Sequence, residues 1–365
     1  MFHLFLYPLR ASFSPFNIFG YITFRAAMAA ITAFIIGVLL GPYIINWLRK
    51  MKIGQQIRGE GIPDLYERHQ DKAGTPTMGG ILILLSILIS VLLWGNFYNQ
   101  YVFLVLAVTF ALGLIGFYDD YLKLRKKHYS GLGKKGKIIG QILIALFFGS
   151  YLYFNSDFSS TKGLVGFPFF KNMVINLGIF YIVVEAFILV GTSNAVNLTD
   201  GLDGLAIGCV IITGMAYAIL SYIIGRHDYS NYLHLIYVPG GGELTVVCAA
   251  LVGAGMAFLW YNCHPAEMFM GDTGSLALGG TIGAIAIVIK QEFLLPIIGG
   301  VFLAEAISVI LQVGSYKLRG KRIFLMSPLH HHFEMKGWHE TKIITRFLIV
   351  AVILSMLGLA TVKLR

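Results

Sequence analysis

Ten apolar stretches, each long enough to cross a bilayer, constrain this chain more than any other feature of its sequence. They run at about 24–48, 76–95, 100–122, 138–155, 172–192, 203–224, 243–262, 272–290, 293–316 and 343–362. One helical crossing needs roughly 20 apolar residues. A chain of 365 residues that is 57% hydrophobic and only 13% charged can supply all ten. A water-soluble fold would have nowhere to hide that surface. Hydrocarbon offers the backbone no hydrogen-bond partners, so the expected fold class is an all-α polytopic integral membrane protein, with one transmembrane domain over 1–365. The fourth stretch is short, and Pro296, Gly299 and Gly300 interrupt the ninth, which predicts a bent helix there.

Basic residues then orient the bundle. About 20 of the 28 Lys and Arg, and with them most of the net charge of +10, fall in or beside the loops joining spans 1–2, 3–4 and 9–10. The positive-inside rule makes that face cytoplasmic and puts both termini outside. Topology and attraction to anionic lipid can account for this bias, and so can an anionic substrate.

The same parity sorts the acids. Asp119 and Asp120 end span 3, Asp200 and Asp203 open span 6, and Asp272 opens span 8, all on the basic face. Loops 5–6 and 7–8 hold no Lys or Arg, so the acids there lack a local partner. Asp200 or Asp272 could simply cap a helix N-terminus. The i, i+3 spacing of Asp200 and Asp203 predicts that both share one helix face. Asp119 and Asp120 sit at a helix C-terminus, where the dipole disfavours a carboxylate, so they need a cation. Lys123 and Arg125 could serve, and so could a divalent ion. Hard oxygen ligands without His/Cys spacing point to Mg2+, which completes its shell with water and substrate phosphates.

The last inner loop carries His330, His331, His332 and His339. Three consecutive residues cannot all face one metal, so these imidazoles read as hydrogen-bond donors to phosphate, sugar or base, or as a polar loop. The segment DKAGTPTMGG at 71–80 can present backbone N–H groups and Lys72 to an anion, but it matches no Walker pattern. Glu185, Glu305 and Gln312 fall within spans, and a charge there should face a polar interior, with Glu305 holding a Lys or His.

The motifs FYDDYLK at 117–123, NAVNLTDGLDGL at 194–205, FMGDTGSLALGG at 269–280 and SPLHHHFE at 327–334 resemble the hallmark loops of the phospho-N-acetylmuramoyl-pentapeptide-transferase family. That family is a branch of the polyprenyl-phosphate N-acetylhexosamine-1-phosphate transferases. The resemblance covers essentially the whole chain, and DKAGTPTMGG and PLHHHFE are specific to the muramoyl-pentapeptide branch. It implies Mg2+-dependent transfer of phospho-MurNAc-pentapeptide from UDP-MurNAc-pentapeptide to undecaprenyl phosphate. The products would be lipid I and UMP, made in the bacterial cytoplasmic (inner) membrane during peptidoglycan biosynthesis. On this resemblance Asp272 is expected to be the principal Mg2+ ligand, with Asp119 and Asp120 handling the lipid phosphate or completing the metal shell. Asp200, Asp203, Asn194 and Asn197 would orient the nucleotide or metal-bound water, and Phe269 would stack on uracil. Lys72, Lys123, Lys135, His330 and His331 would neutralise the pyrophosphate and the departing UMP, His330 counting among the catalytic groups. Thr77, Gln312 and His332 complete the expected substrate-binding set. The partners implied are the two substrates and the bilayer, with no nucleic acid, and a homodimer is left open.

Two rivals remain. A GlcNAc-1-phosphate transferase would share the chemistry, but the triple-His loop argues against it. An ion-coupled transporter would use Glu185 and Glu305, but it predicts charge near the midplane and often a repeat, whereas the charge gathers at one interface and no repeat is visible.

Overall fold

The computed structural model describes residues 1–51, 74–126, 131–170 and 173–364. Its main helices are α1 (Ile22–Lys50), α2 (Gly80–Trp94), α3 (Gln100–Lys126), α4 (Gly133–Phe154), α5 (Tyr181–Thr199), α6 (Leu205–Ile224), α7 (Leu244–Asn262), α8 (Gly271–Val288), α9 (Gly300–Arg319) and α10 (Glu340–Thr361). Among the described residues nine helices are long and apolar enough to cross a membrane, and the shorter α2 has 15 residues. The chain is a multi-pass helical membrane protein.

Four spans differ from expectation: the fourth, read as short, is the 22-residue α4, which starts at Gly133, and the other three differ for local reasons. The stretch 76–95 is helical only from Gly80, because the backbone before it is engaged in a short ladder: Phe269 donates to the Pro76 carbonyl at 2.8 Å, Gly79 to the Phe269 carbonyl at 2.8 Å and Gly80 to the Met270 carbonyl at 2.9 Å. Within the stretch 172–192, Val174–Asn176 form strand β2, paired antiparallel with β1 (Leu164–Gly166), and the helix α5 runs from Tyr181 to Thr199. The bend expected in the ninth span is a full break. A four-residue helix, Leu295–Ile298, stops at Gly299 before α9 starts.

Helix α8 is the hub, with every residue from Thr273 to Val288 buried. Its small side chains let neighbours come close, as at other membrane helix interfaces. A Cβ at Gly279 would lie 2.6 Å from the Thr192 carbonyl oxygen of α5, and one at Gly280 would lie 2.0 Å from Leu112 of α3. Ser193 of α5 donates to the Leu276 carbonyl of α8 at 3.0 Å, and Thr109 of α3 lies 2.7 Å from Thr281. The first turn of α8 is thereby fixed against the ends of α3 and α5, both of which carry conspicuous polar residues.

Candidate active site

The α3 C-terminus, the α8 N-terminus and the start of α4 converge at one end of the bundle. There Asp119, Asp120 and Asp272 bring carboxylate oxygens within 4.8 Å of one another. The Lys123 ammonium stands among them, 2.6 Å from Asp119, 2.7 Å from Asp272 and 3.7 Å from Asp120. Lys137 of α4 reaches Asp272 at 2.9 Å, and Asn197 of α5 donates to its other oxygen at 3.1 Å. Asp272, which has no basic partner in its own loop, is therefore paired by residues of other helices.

The three carboxylates differ in what they hold. Asp120 accepts from the Thr273 hydroxyl at 2.8 Å and from the amides of Thr273 and Asp272 at 3.0 and 3.3 Å, so it satisfies the first turn of α8 from a neighbouring helix. The cap of α8 is built by Asp120 and not, as its position in the sequence allows, by Asp272, whose carboxylate works instead with side chains. Asp119 accepts from the Leu132 amide at 2.8 Å, tying the α3–α4 connection to the cluster. Gly271 is required here, with a positive φ of +72° and with Asp120 Oδ2 2.8 Å from where a Cβ would be. Thr77 Oγ1 lies 3.0 Å from the same point, so the glycine-rich segment borders the cluster.

The remaining expected residues spread more widely. Asn194 lies one turn from Asn197 and donates to Gln141 at 2.7 Å. Asp200 follows the end of α5, half-buried, and the helix-face pairing with Asp203 does not form because 200–204 is a turn. Burial, joined by the carboxylates of Asp272, Asp120 and Asp203, pushes the Asp200 carboxyl up to about 8. Asp203 turns away to a second group. It accepts from the Ala266 amide at 3.1 Å and meets His264 at 3.2 Å, while its own amide donates to Glu340 at 2.9 Å. Gly204, with φ +79°, then starts α6.

The three histidines diverge from their short helix, Leu329–Met335, as 100° per residue requires. His330 is fully buried, its ring 3.2 Å from Glu305, and Gly201 leaves room for its Nε2, which would lie 2.3 Å from a Cβ there. The expectation that Glu305 holds a cationic or imidazole side chain matches this pair. His331 contacts Glu334 at 2.5 Å, and His332 accepts from the Leu325 amide at 3.1 Å. Gln312 is committed elsewhere: its amide bonds the backbone of Ile323 and Phe324 at 2.9–3.0 Å, so it staples the loop after α9 and does not reach the carboxylates. Lys135 is exposed, and Phe269 is half-buried with its backbone in the ladder. Lys72 lies outside the described residues.

Sequence reasoning does not single out Lys137, His264 or Glu340. For Lys137 the signal is present, since it continues the buried face of α4 through Gln141, Ala145 and Phe148 at helical spacing, whereas Lys135 is off that face.

The fold and site define a polytopic membrane protein with an oxygen-rich, lysine-bridged carboxylate centre at one end. Comparison with known sequences makes the class specific. The glycosyl transferase family 4 profile matches residues 102–290, and the phospho-N-acetylmuramoyl-pentapeptide-transferase signature 1 matches residues 72–84. Two proteins named phospho-N-acetylmuramoyl-pentapeptide-transferase, from Desulfotalea psychrophila (strain LSv54 / DSM 12343) and Syntrophus aciditrophicus (strain SB), are each 52% identical over 366 aligned positions, covering 100% of both chains. The chain belongs to the phospho-N-acetylmuramoyl-pentapeptide-transferase family.

Proposed function

We propose that this enzyme transfers phospho-MurNAc-pentapeptide from UDP-MurNAc-pentapeptide to undecaprenyl phosphate, giving lipid I and UMP, on the cytoplasmic face of the bacterial inner membrane. The observation that carries this reading is the convergence of Asp119, Asp120, Asp272, Lys123 and Lys137 where an apolar bundle ends. One substrate is a dissolved pyrophosphate and the other a phosphate anchored in lipid, and only such an end is reached by both.

The donor set suits Mg2+. All three acids offer hard carboxylate oxygens around a point already held by one positive charge, with no thiolate or imidazole in the group. Asp272 and Asp119 are the ligands favoured by this geometry, because Asp120 spends its oxygens on the α8 N-terminus. When bound, the ion would supply charge neutralisation on the pyrophosphate. Lys123 and Lys137 add two ammonium groups at the same place, and Asn197 fixes the plane of the Asp272 carboxylate.

The reaction we favour is direct. An oxygen of the lipid phosphate forms the new bond to the sugar-linked phosphorus, the bond from that phosphorus to the bridging oxygen breaks, and UMP leaves with the electron pair. A phosphate monoester with a second pKa of about 6 is already mostly dianionic at neutral pH, so a general base adds little. The protein's task is alignment and charge stabilisation. Asp200, Asn194, Phe269, Thr77, Lys72, His330 and His331 are proposed for the nucleotide and pyrophosphate side, with Asp203 held for that role by His264 and Glu340.

Purified protein given UDP-MurNAc-pentapeptide, undecaprenyl phosphate and Mg2+ should form lipid I and UMP, with little product from UDP-GlcNAc. The reverse preference would assign the chain to the GlcNAc-1-phosphate branch. A phosphorylated enzyme trapped in the absence of the lipid acceptor would overturn direct transfer.

A further inference from the structure

At the end of the bundle that holds the carboxylate centre, α10 starts with two unlike faces. On the inner face Glu340 accepts from the Asp203 amide at 2.9 Å, and Ile343, Ala351 and Gly358 are buried along the same side, Gly358 against Ile298. On the opposite face Lys342, Arg346, Ile349, Ile353 and Met356 recur at i, i+4, i+7, i+11 and i+14, and all are exposed. They form one stripe down the outside of the bundle, cationic over its first turn and apolar below.

The head of the stripe is organised around one indole. Trp338, half-buried just before α10, has Phe333 stacked on it with ring centroids 4.6 Å apart. The Lys342 ammonium and the Arg346 guanidinium lie over the same indole, 5.0 and 4.5 Å from its centroid. A cation held over an aromatic ring keeps its N–H donors for other partners. Neither cation meets a carboxylate among the described residues. The acids of this segment are turned inward, Glu334 onto His331 at 2.5 Å and Glu340 onto Asp203. Two positive charges therefore share one ring without neutralisation, at the level where the stripe changes from polar to apolar. Tryptophan and long basic side chains are the residues that the membrane–water boundary accommodates best.

We propose that this stripe binds an anionic phospholipid of the leaflet beside the carboxylate centre. Its phosphate meets Lys342 and Arg346, its glycerol region rests against Trp338, and one acyl chain lies along Ile349, Ile353 and Met356. The dimensions agree, because the helix between Arg346 and Met356 rises about 15 Å, roughly half the hydrocarbon layer and hence one leaflet. Charge selects the lipid class: a zwitterionic headgroup would add a third cation to the two already present, whereas an anionic one neutralises them. The site is on the outer face of α10, and the inference does not depend on the substrate assigned to the carboxylate centre.

Tryptophan fluorescence of the full-length protein in phosphatidylcholine vesicles, doped with either phosphatidylglycerol or phosphatidylcholine brominated in the acyl chains, tests this. The chain has four tryptophans, so the share of Trp338 is the difference between the native protein and Trp338→Phe. That share should be half quenched at a mole fraction about tenfold lower for brominated phosphatidylglycerol than for brominated phosphatidylcholine. Lys342→Gln combined with Arg346→Gln should bring the two lipids together. Equal quenching by both lipids in the native chain would overturn the proposal, and so would a preference that survives the double substitution. Displacement by inorganic phosphate would assign the cations to a soluble ligand, displacement by equimolar undecaprenyl phosphate would assign them to the acceptor lipid, and either result also overturns it. Should Trp338→Phe fail to fold, native mass spectrometry still decides, by counting the phosphatidylglycerol molecules retained by the native chain and by the double variant, which must hold fewer.

Discussion

Asp272 works through partners borrowed from α3, α4 and α5, and this is why a single change there should be decisive. Asp272→Asn keeps the shape but loses the charge that holds Lys123 and Lys137 and that is proposed to hold the metal. Turnover should fall by about 10²-fold or more, with the thermal midpoint little changed. Near-normal turnover would reduce Asp272 to a packing residue. Lys137→Met should cost at least about tenfold in turnover, whereas Lys135→Met should be close to neutral, and the contrast is read directly from initial rates. The raised Asp200 carboxyl gives a pH test. Between its unfolded value near 3.8 and its folded value of about 8 the native state holds the extra proton, so stability attributable to this group falls as pH rises through that window. Measured in EDTA, the thermal midpoint of Asp200→Asn relative to the native chain should climb from pH 5 to pH 8. A difference that is flat with pH would remove the assignment. At this scale the acids are legible in the sequence, because adjacent carboxylates at the end of an apolar span are costly unless a cation or a polar site holds them. Asp203 and Gln312 are not, since their surroundings are set by a five-residue turn and by a loop folded back on α9, features that spacing along one helix does not reveal.

Among the elements, α8 couples packing to chemistry. Its glycine face lets α5 approach until Ser193 bonds the Leu276 carbonyl, and the same approach delivers Asn197 to Asp272 one turn further on. Gly279→Val places carbon against the Thr192 carbonyl and should cost about 1–3 kcal/mol of stability. Because α5 must move away, activity should drop by more than the stability loss explains. Activity falling only in step with the folded fraction would show that the two helices are not coupled in this way. The helices themselves are legible from apolar run length alone. Their ends are not, since the hairpin of β1 and β2 and the ladder at Pro76–Gly80 depend on hydrogen bonds to residues distant in sequence or hidden in turns.

For the whole molecule, the uneven distribution of Lys and Arg predicts which way the bundle sits. With Cys209, Cys248 and Cys263 replaced, Lys162→Cys should react with a membrane-impermeant thiol reagent in intact spheroplasts, and Lys336→Cys only after permeabilisation. The opposite pattern would invert the proposed topology.

The short α2 has a mechanical meaning for the surrounding lipid. Fifteen residues give a rod of roughly 22 Å, against a hydrocarbon layer of about 30 Å. At its far end Phe2 and Phe19 pack on Trp94 and make up part of the difference. At the near end the chain leaves the helix at Gly80 and runs beside Met270, two residues from Asp272. The shortfall therefore falls beside the carboxylate centre, where local thinning of the bilayer is one way to accommodate it. A lipid phosphate could then meet the centre at its own resting depth. Turnover in vesicles of lengthening acyl chains should accordingly decline as the membrane grows thicker than this notch can accommodate.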